Sequence, residues 1–86
     1  MIIDYSKKLI KEFDKMPTKL QQKFRERLLL FLENPGHPLL RNHSLTGELM
    51  GLRSINVTGD IRALYQESGE DKVIFMTIGS HSQLYQ

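Results

Sequence analysis

The chain begins with a short apolar run, Met1–Asp4, suited to an edge or a central strand. From Ser6 onward the pattern is helical: Tyr5, Leu9, Phe13 and Met16 recur at steps of three and four residues, so they share one face of a helix. Ser6 is placed to cap that helix, its hydroxyl taking one of the unpaired N–H groups of the first turn. Pro17 should end this helix and begin the next, because its fixed φ and missing N–H are tolerated only in a first turn. The second helix carries Leu20, Phe24, Leu28, Phe31 and Leu32 on one face and should stop near Asn34, ahead of Pro35-Gly36. The two segments make a helical hairpin joined at Pro17.

Gly36 to Gly51 reads as a connector rich in polar and turn residues. Beyond it the period becomes two: Arg53, Ile55 and Val57 alternate with Ser54 and Asn56, and Thr58-Gly59-Asp60 offers a tight turn. Ile61–Gln66 is the returning strand, Ser68-Gly69-Glu70-Asp71 a second turn, and Val73–Ile78 a third strand. Helices first and strands later predict an α+β fold, with an N-terminal strand and a two-helix hairpin packed on an antiparallel β-meander. One domain should span residues 1–86.

Composition narrows what such a domain can do. With 86 residues, 40% hydrophobic and 26% charged, the chain has a small core, and a bound partner can contribute appreciably to its stability. It has no cysteine, and its three histidines (His37, His43, His81) lack metal-ligand spacing, so neither a metal nor another cofactor is expected. His37, between Gly36 and Pro38, reads as an exposed loop residue. The chain has no apolar run of the roughly 20 residues that span a bilayer, and its first residues lack the order of a signal peptide. A soluble, cytoplasmic protein is expected. The net charge is only +2, but residues 1–34 carry eight Lys/Arg against five acids, which permits a polyanionic partner.

Three features are candidates for chemistry. Lys7, Lys11 and Lys15 stand four apart on the first helix, and Lys19, Lys23 and Arg27 repeat the spacing on the second. Like charges so placed mildly destabilise a helix; they form either a rail for RNA phosphates or a solvated face eased by Glu12, Asp14 and Glu26. Arg62 should share a strand face with Leu64, either lining a groove where its planar fork meets phosphate oxygens or pairing at the rim with Asp60 or Glu67. His81 follows a strand and a glycine, and a histidine exchanges protons near neutral pH.

Taken in order, Asn42-His43-Ser44-Leu45-x-Gly47-x-x-x-Gly51-x-Arg53, Asp60-x-Arg62-x-x-Tyr65 and Gly79-x-His81-x-x-Leu84-Tyr85 resemble the YafQ-like branch of the RelE/ParE toxin superfamily. The resemblance rests on specific residues from Pro38 onward and on pattern alone over the helices. It implies a RelE-like fold and a type II toxin that cuts mRNA in the ribosomal A site without a metal, silenced by a cognate antitoxin. The implied chemistry is ribonuclease-like: the ribose 2′-OH attacks the adjacent phosphate, with a base, an acid and a cation assisting.

On that resemblance His81 matches the general acid and His43 is the candidate base. Asp60 would orient a histidine or the substrate, Arg62 would stabilise charge, and Tyr85 would stack on or position a base. Arg53 matches an arginine with either an RNA-binding or a structural role. The chain departs from the pattern at Asn56, where the branch has a histidine, at Ile61, which replaces tryptophan, and at Thr77, which replaces an arginine near the site. Arg62 is a candidate to supply the cation lost at Thr77. Two other readings compete: a ParE-like inhibitor of DNA gyrase, and a protein that only binds RNA or antitoxin. The expected partners are the antitoxin, the ribosome and mRNA, with the free domain monomeric.

Overall fold

The computed structural model describes residues 1–85. Its elements are β1 (Ile2–Tyr5), α1 (Lys7–Asp14), α2 (Thr18–Glu33), β2 (His43–Ser44), β3 (Leu52–Asn56), β4 (Ile61–Glu67), β5 (Lys72–Ser80) and α3 (His81–Leu84). The strands form one sheet in the order β1-β5-β4-β3-β2. The expected meander is β3-β4-β5, all antiparallel, and it is extended at both edges. β1 joins β5 in parallel, which settles its place as an edge strand, and β2 pairs antiparallel with β3.

The two helices cover one face of this sheet. Phe24, Phe31, Ile55, Val57, Ala63, Tyr65 and Phe75 lie in one buried cluster. Phe31 meets Tyr65 edge-on at 5.0 Å between ring centroids and Phe75 at 5.6 Å, while Phe24 meets Phe75 at 5.7 Å. These T-shaped pairs suit the aromatic quadrupole, and each fully buried ring contributes about 1.5–3 kcal/mol by leaving water. Strand alternation turns Ser54, Asn56, Arg62 and Leu64 to the opposite face. Arg62 is paired with Asn56, and Leu64 with Ser54.

Several local expectations are corrected. Leu32 is 46% exposed and Tyr5 43% exposed; Leu32 lies about 100° around the helix from buried Phe31, outside the apolar stripe. The connector is not irregular throughout. Pro38–Leu40 and Gly47–Leu49 are single 3₁₀ turns flanking β2, and Leu40 is fully buried in the core. Only Leu40's depth distinguishes it from its exposed neighbour Leu39, and sequence spacing carries no such information.

Ser6 caps α1 as expected, its Oγ accepting from the Leu9 N–H at 3.0 Å. It also donates to the Met76 carbonyl at 2.6 Å. This second bond matters because β1 ends at Tyr5, opposite Phe75, and leaves the second half of β5 paired with β4 on one side but open on the other. Glu12 continues the cover: its carboxylate accepts from the Thr77 hydroxyl at 2.8 Å and from the Ile78 N–H at 3.2 Å. Helix α1 thus seals an edge that would otherwise offer open N–H and C=O groups. Among the described residues Glu12 makes no ion pair with a lysine of the rail. Thr77 donates to Glu12 of α1 and does not line the cleft that holds His43 and His81.

Candidate active site

Four of the five proposed catalytic residues meet in one open cleft of about 310 Å³, lined by His43, Leu45, Arg62, His81 and Tyr85. It lies where the outer edge of β2, the start of β4 and helix α3 converge.

His43 comes from the two-residue strand β2, opposite Ser54 on β3. Its Nδ1 lies 2.8 Å from the Arg41 carbonyl. A carbonyl only accepts, so Nδ1 carries the proton in the neutral ring and Nε2 keeps an unshared lone pair. In this tautomer Nε2 is the nitrogen able to accept a proton. Arg41 itself has φ 45°, in the left-handed region, which costs a non-glycine residue on the order of 1 kcal/mol or more.

Arg62 is set by the turn before it. The Thr58 hydroxyl accepts from the N–H groups of Asp60 at 3.3 Å and Ile61 at 3.0 Å, folding Thr58-Gly59-Asp60 into the tight turn that the sequence predicts. The turn's carbonyls then receive Arg62 Nη1, at 3.2 Å from Thr58 and 3.1 Å from Gly59. The rim ion pair with Asp60 or Glu67 is not formed. Among the described residues no carboxylate pairs with Arg62, so the guanidinium is oriented without being neutralised.

His81 is the first residue of α3 rather than part of a loose turn. Ser80 and Gln83 form a reciprocal capping box, with the Ser80 N–H donating to Gln83 Oε1 at 2.8 Å and the Gln83 N–H to Ser80 Oγ at 3.2 Å. Gly79 makes room for this cap: a Cβ there would lie 2.9 Å from Gln83 Oε1. The Gly79-x-His81 spacing is thereby explained. The His81 N–H donates to the Asp60 carbonyl at 3.1 Å, and its ring lies 4.5 Å from that of Tyr85. Tyr85 is anchored in turn, its hydroxyl donating to buried Ser54 Oγ at 3.2 Å.

Other candidates fall elsewhere. The exposed Asp60 carboxylate makes no hydrogen bond or ion pair among the described residues and does not line the cleft; its backbone, not its acid, locates His81. Arg53 donates from Nε to Asn42 Oδ1 at 2.9 Å, and Asn42 Nδ2 donates to Tyr65 Oη at 2.7 Å and to the Pro35 carbonyl at 3.1 Å. Three motif residues thus form one internal strut. Lys7, Lys11 and Lys19 line neither this cleft nor the two hollows that flank it. Lys15 and Lys8 flank a separate hollow of about 440 Å³ between α1, β5 and α3. Only Lys23 and Arg27 reach a groove that adjoins the histidines, through Arg62. Arg41 and Leu45 were missed: nothing in an extended reading of residues 36–51 marks a left-handed arginine or the apolar wall of a cleft.

Among the described residues, no three His, Asp or Glu side chains converge as a metal site, and no helix is long and apolar enough to cross a membrane. Outside the cleft, partial burial raises the pKa of the Tyr5 phenol above its ordinary value.

The architecture is that of the YoeB/ParE toxins. The YoeB/ParE toxin from Agrobacterium tumefaciens superposes with a TM-score of 0.79 at 16% identity, over 94% of this chain and 99% of that one. Residues 2–86 match the family described as bacterial toxin of type II toxin-antitoxin system, YafQ, and the chain belongs to that family. Two further structures agree. A metal-bound toxin from Helicobacter pylori is 28% identical, with a TM-score of 0.70 over 99% of both chains. The E. coli DinJ-YafQ toxin-antitoxin complex contains a chain 26% identical, with a TM-score of 0.65 over 98% of this chain and 96% of that one. A search of curated proteins found no match.

Proposed function

We propose that this YafQ-family toxin is an endoribonuclease that cuts mRNA on the ribosome by intramolecular attack of a ribose 2′-OH. The observation that carries the reading is the convergence of His43, with Nε2 left basic by the Arg41 carbonyl, and His81 on one cleft that also holds an unneutralised Arg62. His43 Nε2 takes the 2′-OH proton as the oxygen attacks phosphorus. Arg62 donates to the phosphoryl oxygens as charge builds. His81, entering as imidazolium, gives its proton to the departing 5′-oxygen. The products are a 2′,3′-cyclic phosphate and a 5′-hydroxyl, and side chains supply the base, the acid and the cation. Tyr85, held by Ser54 and packed on His81, fixes the imidazole and offers a ring face to a base.

In this reading Arg62 does the work of the arginine that Thr77 replaces, and Asn56 is not needed as a proton carrier. A cognate antitoxin is the proposed partner, supported by the crystallised complex of the related YafQ with DinJ.

The test is cleavage of a defined mRNA on stalled ribosomes, with chelator present. Wild-type protein should cut within the A-site codon and leave cyclic phosphate ends; His81→Ala and His43→Ala should each lose most of that rate while keeping the fold. Wild-type rates in both variants would remove the mechanism.

A further inference from the structure

Beside the histidine cleft runs a second groove, of about 560 Å³, whose lining includes Lys23, Arg27, Arg41, Arg62, Asn56 and Leu39. No acidic residue lines it. Arg62 belongs to both depressions, so they meet at the residue proposed to face the scissile phosphate.

The cations are held in ways that keep their charge exposed. Arg27 donates from Nε to the Val57 carbonyl at 3.3 Å and has no carboxylate partner among the described residues. Arg62 is held by the carbonyls of Thr58 and Gly59. Lys23 keeps one loose ion pair, 3.5 Å from Glu26, a residue outside the groove. Arg41 is bound into the site by its backbone. Its carbonyl sets the His43 tautomer, its N–H is tied to the Pro38 carbonyl at 3.2 Å, and its left-handed φ of 45° is retained where a glycine would be relaxed. Strain held at a residue that touches the base and also lines the groove is the kind of feature that clusters at functional sites. Leu39, 57% exposed, adds an apolar surface against which a nucleobase can pack.

The geometry points to this groove as a binding track for the message strand where it leaves the active cleft, with Arg41, Lys23 and Arg27 taking phosphates that flank the cut. The inference rests on the ribonuclease reading and adds to it three positioning residues, of which Arg41 was not apparent in the sequence. Guanidinium forks suit phosphate oxygens, and a groove without acids accepts a polyanion at no repulsive cost. The substrate is thus gripped over several nucleotides although the chemistry touches one phosphate.

The experiment is a cycle between protein and message on programmed ribosomes. One phosphate at a time near the cut is replaced by a neutral methylphosphonate, and each message is cleaved by wild type, Arg41→Gln and Lys23→Gln. Lys23 lies on the surface of α2, so its variant keeps the test valid if Arg41→Gln folds poorly. On the unmodified message each variant should raise KM about tenfold, the order of one charge-assisted hydrogen bond, with kcat retained. At one particular linkage, neutralisation should slow wild type but cost the variant little. Variants slowed at every linkage alike would overturn the message track and assign the groove to ribosomal RNA. Variants cutting at the wild-type rate would overturn it outright. If wild type cuts nothing, the ribonuclease reading fails by itself, and binding of a fluorescent nine-nucleotide RNA decides the groove. There the salt slope should fall by roughly 0.7 for each phosphate contact removed, and an unchanged slope would sink the groove as well.

Discussion

The two faces of the sheet are built on different principles. On the helix-covered face, rings fill space: Phe24, Phe31, Tyr65 and Phe75 contact one another, and neighbours hold each in place by shape. On the opposite face Ser54 and Leu64 are buried, but around them His43, Arg62 and the start of α3 are aligned by main-chain carbonyls. The Arg41 carbonyl holds His43, those of Thr58 and Gly59 hold Arg62, and that of Asp60 holds the backbone of His81. Stability and chemistry therefore draw on nearly separate sets of side chains.

This separation can be broken experimentally. The largest effect should come from Phe75→Ala, which removes a fully buried ring touching two others on the helix side. About 3–5 kcal/mol of stability should be lost in denaturant unfolding, with cleavage per folded molecule near wild type. A Phe75 variant that stayed stable but lost activity would erase the division. Next, His81→Ala should reduce cleavage by about 10²–10⁴-fold and shift the unfolding midpoint little, because the ring is exposed. Thr77→Val keeps the shape of the β5 edge but leaves the Glu12 carboxylate short of a donor, and should cost about 1–3 kcal/mol. Thermal unfolding would show it; no loss would mean that the α1 seal contributes nothing. Combining Thr77→Val with His81→Ala should give additive stability changes within about 0.5 kcal/mol. The smallest effect is expected for Tyr85→Phe, about 1 kcal/mol in stability for the one part-buried hydrogen bond to Ser54. Its cleavage rate tells whether the Ser54 tether also steadies His81.

How much of this was legible depended on the kind of force involved. The helices and the meander were, because burial imposes a period and Ser6, Pro17 and the Thr58-Gly59-Asp60 turn carry local signals. β2, the 3₁₀ turns and the depth of Leu40 were not, since two- and three-residue elements have no period. Nor was the irregularity between Leu64 and Tyr65, which shifts the register of β4 against β5. At the site, residue types were readable but directions were not. His43, Arg62, His81 and Tyr85 converge, whereas Asp60 contributes its backbone and Arg53 turns inward to Asn42. Nothing in the identity of aspartate or arginine decides which way it faces; strand parity and the partner across the sheet decide it. The lysine rail divides for the same reason, Lys23 and Arg27 reaching the groove while Lys7, Lys11 and Lys19 do not.

The carbonyl-held cleft has a consequence for how such proteins change over generations. A main-chain oxygen is present whatever residue occupies a position, so substitutions at Gly59 or Asp60 do not delete the acceptor that aligns Arg62 or His81. Only a change of turn shape would. Most replacements around the cleft therefore leave the reactive groups aligned, and the surrounding surface is open to drift or to matching a new partner. Divergence to 28% identity or less, with the same architecture retained, is what such insensitivity permits.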